Sequence, residues 1–66
     1  MITFDKLWKT MKRKGYTTYF LREKADIDSK TIRRLKANQN IETKTLDKIC
    51  NALDCKIEDI IEFKKS

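Results

Sequence analysis

The stretch ADIDSKTIRRL, Ala25 to Leu35, decides how this chain is read. Its reading starts at Asp28. A carboxylate there accepts from the exposed N–H groups of a helix's first turn and suits the positive end of the helix dipole. The spacing predicts a helix over about Ser29 to Ala37, with Asp28 as its N-cap. At about 100° per residue, Ser29, Lys30, Arg33, Arg34, Lys36 and Ala37 share one broad arc. Ile32 and Leu35 lie opposite, with Thr31 beside them, so two apolar residues anchor the helix and a basic face stays outside. A solvated helix face is the plain account of those cations. A face that reads nucleic acid is the sharper one.

The rest of the chain narrows the choice. Its 66 residues allow one domain, 1–66. A domain this small buries only about 60% of its unfolded surface and has little room for an enclosed pocket. The chain has two cysteines and no histidine. Cys50 and Cys55 cannot fill a tetrahedral site alone, so no metal is expected. Cys50 reads as core-facing and Cys55 as a small apolar filler, and free thiols fit a reducing cytosol. Without histidine no Ser–His or Cys–His pair forms, so neither an enzyme nor a cofactor or small-molecule ligand is expected. No apolar run approaches the roughly 20 residues that span a bilayer. Asp5 and Lys6 interrupt the apolar start, which argues against a signal peptide. The expectation is a soluble, cytoplasmic protein, with Met1 opening a complete small reading frame.

Charge is distributed unevenly. Residues 1–40 hold eleven Lys/Arg against four Asp/Glu, a net of +7, and residues 41–66 hold five against six, a net of −1. The excess points to a polyanionic partner for the first part, most often nucleic acid.

One glycine and no proline argue for helices joined by short polar turns. The first helix is predicted over about Phe4 to Lys14, with Thr3 as N-cap, a stripe of Phe4, Leu7, Trp8 and Met11, and Gly15 as a left-handed stop. A second runs from about Thr18 to Ala25 behind Thr17, with Phe20, Leu21 and Ala25 inward. The third is the opening helix, broken by Asn38-Gln39-Asn40. A fourth covers about Thr43 to Leu53, and a short fifth about Ile57 to Glu62. No segment alternates for long enough to make a strand. The fold class is therefore all-α, a compact bundle of five short helices.

Two short helices separated by a tight turn, the second basic on its outer face, suit a helix–turn–helix, which lays its second helix in the major groove of DNA. Ser29 and Lys30 lie at the helix start, where insertion is deepest, and Arg34 follows one turn on. Arg33 shares the face and reaches a base or a phosphate. Ser and Thr, including Thr31, suit contacts to bases or phosphates.

At this point the chain resembles a known family. Thr18 to Leu35 is similar to the helix–turn–helix of the lambda repressor/Cro-like (XRE-type) DNA-binding proteins. The flanks LWKTMKRKG and LDKICNALDCKIEDI resemble that family's first, fourth and fifth helices. The resemblance covers nearly the whole chain and implies a transcriptional regulator, a repressor in the first instance, bound to operator DNA as a dimer. By position it implies that Ser29, Lys30 and Arg34 read bases, that Thr18 contacts a phosphate, and that Lys36, Asn38 and Asn40 meet the DNA backbone. Where the family carries Gln, a small Ala and a turn Gly, this chain carries Thr18, Arg22 and Asp26. Asp26 tolerates a left-handed backbone. The Arg22 stem is expected to cross the helix pair with its guanidinium outside.

Other features keep two readings. Ile57, Ile60, Ile61 and Phe63 either all cap the core or divide, leaving Ile57, Ile61 and Phe63 for a homodimer interface on a palindromic operator. Tyr16 and Tyr19 pack partly on the core or offer a hydroxyl to a phosphate. Trp8 is core or a contact to a second subunit, and Lys12-Arg13-Lys14 is a solvated helix end or a phosphate contact. A protein-interaction module, such as an antitoxin-like subunit using the tail cluster, remains the alternative function. An RNA partner fits less well, because RNA readers usually stack bases on exposed aromatics.

Overall fold

In the computed structural model, which describes residues 1–65, the first helix starts without a capping side chain of its own. Helix α1 spans Asp5–Lys14, and its N-cap position is Phe4 rather than Thr3. Thr3 is buried, in an extended segment, and its hydroxyl finds no partner among the described residues. The cap comes from elsewhere: the Phe4 N–H donates to Asn38 Oδ1 at 2.8 Å, across 34 residues of sequence.

The helix ends follow one rule. Helix α1 stops at Gly15, whose φ is 79°, and Tyr16 N–H donates back to the Met11 carbonyl at 2.8 Å. Helix α2, Thr18–Lys24, is followed by Asp26 at φ 56°. Helix α3, Ser29–Lys36, is followed by Asn38 at φ 56°, and Gln39 N–H reaches the Arg34 carbonyl at 2.9 Å. Helix α4, Thr43–Leu53, stops at Asp54 at φ 51°. Left-handed backbone crowds Cβ against the carbonyl, and short polar Asp and Asn accept it better than most residues. The chain thus uses Asp and Asn where glycine would ordinarily stand.

The predicted fifth helix does not form. Ile57–Asp59 makes a single 3-10 turn, held where Lys56 N–H donates to Asp59 Oδ2 at 3.0 Å. The chain then extends. Strand β1, Ile2–Thr3, pairs antiparallel with strand β2, Glu62–Phe63, with Ile2 opposite Phe63 and Thr3 opposite Glu62. Lys64 N–H donates to the Met1 carbonyl at 2.7 Å, and the Met1 nitrogen donates to the Lys64 carbonyl. The fold among the described residues is therefore four helices with a small terminal ribbon, not five helices. Strands of two residues carry no periodicity, and their partners lie at opposite ends of the sequence, so pattern alone cannot show them.

One apolar cluster holds these elements together. Phe4, Leu7 and Met11 meet Leu21 of α2, Ile32 and Leu35 of α3, and Ile49 and Leu53 of α4. Ala25 and Ile27 fill the turn between α2 and α3, and Ile60 closes the cluster from the tail. Trp8, Phe20 and Ile61 pack against it partly buried. Thr10 adds a polar tie, its hydroxyl donating to the Asp59 carbonyl at 2.6 Å, which joins α1 to the 3-10 turn.

Asn38 holds two positions at once, a left-handed stop and a remote cap, and this makes a test. Asn38→Ala loses both and is expected to destabilise the fold by about 2 kcal/mol. Asn38→Gly keeps the backbone geometry, loses the cap, and is expected to fall by about 1 kcal/mol. Urea unfolding of the three proteins measures this; wild-type stability in Asn38→Ala would contradict the assignment.

Candidate nucleic-acid interface

The site is built on α3, and its local structure begins at Asp28. Asp28 Oδ1 accepts from the Thr31 N–H at 2.8 Å, so the predicted cap is in place. Hydrogen bonding from the Thr31 side chain and backbone, helped by the charges of Lys30 and Arg34, holds the Asp28 carboxyl below its ordinary value of 3.8. The Asp28 carboxylate is therefore committed to helix structure.

The two sides of α3 separate as the spacing implied. Ile32 and Leu35 are buried, and Ser29, Lys30, Arg33, Arg34, Lys36 and Ala37 are exposed. Among the described residues the ion pairs are Lys44–Glu42, Lys48–Asp26 and Lys64–Asp5, so no α3 cation is neutralised by one. An α-helix with its side chains is about 10–12 Å across, and the B-DNA major groove, roughly 12 Å wide, admits one. A short helix with an unpaired basic arc is thus of a size to enter that groove.

The turn that presents α3 runs from Ala25 to Asp28. Ala25 and Ile27 N–H groups both donate to the Leu21 carbonyl, at 3.2 and 3.1 Å, and Asp26 takes the left-handed conformation between them. Asp26 therefore does what a turn glycine does. Arg22 is exposed and leaves the buried junction of the two helices to Leu21, Ala25, Ile27, Ile32 and Leu35.

The remaining sequence-assigned contacts are placed less uniformly. Thr18 is half-buried at the first position of α2. Lys36 and Asn40 are exposed at and just beyond the end of α3. Asn38 is half-buried, and its Oδ1 is taken by Phe4. Thr31 is half-buried off the basic arc, in a groove it shares with the carboxylates of Asp26, Asp28 and Glu42 and the ammonium groups of Lys44 and Lys48. Structure thus gathers Ser29, Lys30, Arg33, Arg34 and Lys36 on one exposed surface, with Thr31 half-buried beside it. The Asn38 cap is the feature sequence reasoning missed; only the Asn-rich helix break hinted at a special residue there.

Beside the motif, Tyr16 stacks on Phe20 with ring centroids 3.8 Å apart and planes within 5°. Tyr19 is largely exposed. No described helix is long and apolar enough to cross a membrane.

This arrangement of α2, a tight turn and a basic-faced α3 is a helix–turn–helix. Residues 6–66 match the Cro/C1-type HTH DNA-binding domain, and the chain belongs to that family. Among solved structures it is similar to the transcriptional regulator VanUg, at 33% identity and a TM-score of 0.87 over 92% of this chain and 81% of that one. No curated protein sequence matches it significantly.

The Asp28 cap has a pH signature. A carboxyl held below its ordinary 3.8 stabilises the fold fully above that value, and the contribution is lost as pH falls through the lower folded-state value. Asp28→Asn keeps an acceptor without a titrating group. The expected result is that the stability gap between wild type and Asp28→Asn is constant at neutral pH and shifts against wild type in acid. Urea midpoints from about pH 6 to about pH 2 measure it; parallel curves throughout would contradict the cap's ionic contribution.

Proposed function

We propose that the protein is a sequence-specific transcriptional regulator, acting as a repressor, that reads double-stranded operator DNA in the major groove with α3. The observation that carries this reading is the exposed, unpaired arc of Ser29, Lys30, Arg33 and Arg34 on a helix of major-groove dimensions. Similarity to a transcriptional regulator supports the regulatory part. Ser29, Lys30 and Arg34 address base edges, and Arg33 a base or a phosphate. Arg and Lys donate to guanine O6 and N7, and Ser serves either base or phosphate. Thr18, Thr31, Lys36 and Asn40 address the DNA backbone, which sets register without carrying sequence information. Asn38 has its amide nitrogen left for the same purpose.

A homodimer on a palindromic operator completes the proposal. Phe63 is 68% exposed and Ile57 46%, and Ile61 is half-buried between them in sequence. Such apolar exposure on a small domain marks association. The same surface also suits a different protein partner, and a stoichiometric second protein recovered with the chain from its host would favour that reading. If the homodimer is right, Phe63→Glu lowers the sedimenting mass to that of the monomer while helicity is kept. An unchanged oligomeric state in Phe63→Glu would remove Phe63 from the interface.

Substitutions on α3 divide by role. Lys30→Ala or Arg34→Ala is expected to weaken specific binding by about 1–3 kcal/mol and relax preference at one base position. Lys36→Ala is expected to weaken all duplexes alike and lower the salt slope by about 1. Fluorescence anisotropy on operator and scrambled duplexes separates the two patterns. Wild-type specificity in both Lys30→Ala and Arg34→Ala would sink the assignment of α3 as the reading helix.

A further inference from the structure

The DNA-facing reading leaves unused the two nucleophilic side chains of the chain, Cys50 and Cys55. Their positions are tied by the way α4 ends. Asp54 takes the left-handed conformation, and the Cys55 N–H donates to the Cys50 carbonyl at 3.2 Å. This closure folds the chain back and sets a residue of the last helical turn, Cys50, against Cys55 just beyond the helix. Helix ends of this kind frequently join two apolar side chains there. Here both are cysteines. Both are free and half-buried. They line a shallow groove of about 450 Å³ with Thr43, Leu46, Asp47 and Ile57, and no residue of α3 takes part in it.

We infer that Cys50 and Cys55 form one dithiol site that is oxidised by low-molecular-weight disulfides, of which glutathione disulfide is the type, and closes to a reversible internal disulfide. In the first step one cysteine thiolate attacks a glutathione sulfur, forming a protein–glutathione mixed disulfide and expelling one glutathione thiolate. In the second step the other cysteine, its proton given to solvent, attacks the protein sulfur and expels the second glutathione. The protein loses two hydrogens and gains one S–S bond; glutathione disulfide is reduced to two thiols, which take up the two protons.

Geometry favours closure over two independent modifications. The helix-end backbone hydrogen bond holds Cys55 beside Cys50, so the resolving step does not wait for diffusion. No group of three or more His, Cys, Asp or Glu suited to a metal occurs among the described residues, and two thiolates alone leave a tetrahedral site incomplete. Burial raises both thiols above the ordinary value of 9.0, so the first attack is slow at neutral pH and quickens as pH rises.

The test equilibrates the intact protein in buffers of graded reduced and oxidised glutathione, quenches with acid, alkylates the remaining thiols and reads intact mass. Wild type is expected to convert to a monomer two hydrogens lighter that resists alkylation. Cys50→Ser and Cys55→Ser are each expected to retain one glutathione adduct, at a level about tenfold or more above any adduct on wild type. Circular dichroism confirms that the variants stay helical, and the wild-type mass pattern decides the matter even if they do not. Adducts accumulating on wild type, disulfide-linked dimers, or a wild type left reduced where glutathione disulfide dominates would each overturn the inference.

Discussion

With one glycine and no proline, this chain must end its helices by other means, and the rest of the structure depends on how it does so. Gly15, Asp26, Asn38 and Asp54 carry positive φ, and each stands just beyond one of the four helices. Left-handed residues turn the chain sharply while giving the last carbonyls a donor. Short helices joined in this way bring their apolar stripes onto one small core. Asp26 is the stop with the clearest consequence, because it sets the turn from α2 into α3. Asn38 has a second, since its side chain also begins α1 through the Phe4 N–H. The end of α3 is thereby fastened to the start of the domain.

That fastening matters because α3 has only two buried residues, Ile32 and Leu35, to hold it. Its other faces are exposed and charged. Repulsion among Lys30, Arg33, Arg34 and Lys36 is tolerated in water, where screening is strong, and it is relieved when phosphates approach. The nearby Lys48–Asp26 pair, at 3.9 Å with Asp26 almost wholly exposed, is of the kind that contributes about 0–1 kcal/mol and competes little with a polyanion. Glu42 pairs with Lys44, and Asp28 is occupied by Thr31. The carboxylates around α3 are therefore taken by Thr31 and by lysines outside the helix, and among the described residues no ion pair engages the arc.

Much of this was legible in the sequence, and the reasons are physical. The Asp28 cap, the Gly15 stop, the bounds of α4 and the division of α3 into buried and exposed sides all follow from local periodicity or from one residue's conformational preference. What was not legible depends on contacts between distant residues. Thr3 reads as a cap from its neighbours, yet the bond comes from Asn38. Ile57 to Glu62 reads as a helix from its apolar residues, yet the terminal segments Ile2–Thr3 and Glu62–Phe63 pair instead. Thr31 sits beside the basic residues in sequence, and only the packed structure puts it in a groove with Asp26, Asp28, Glu42, Lys44 and Lys48.

The measurement that tests the central claim most directly is binding to the duplex upstream of the protein's own gene, against a shuffled duplex, from about 50 to about 200 mM salt. The expected result is a steep loss of affinity with salt on both duplexes, from phosphate contacts, with a clear preference for the native sequence that persists across the series. Equal, weak binding to both would leave only electrostatics, and would contradict the reading of α3 as a helix that recognises sequence.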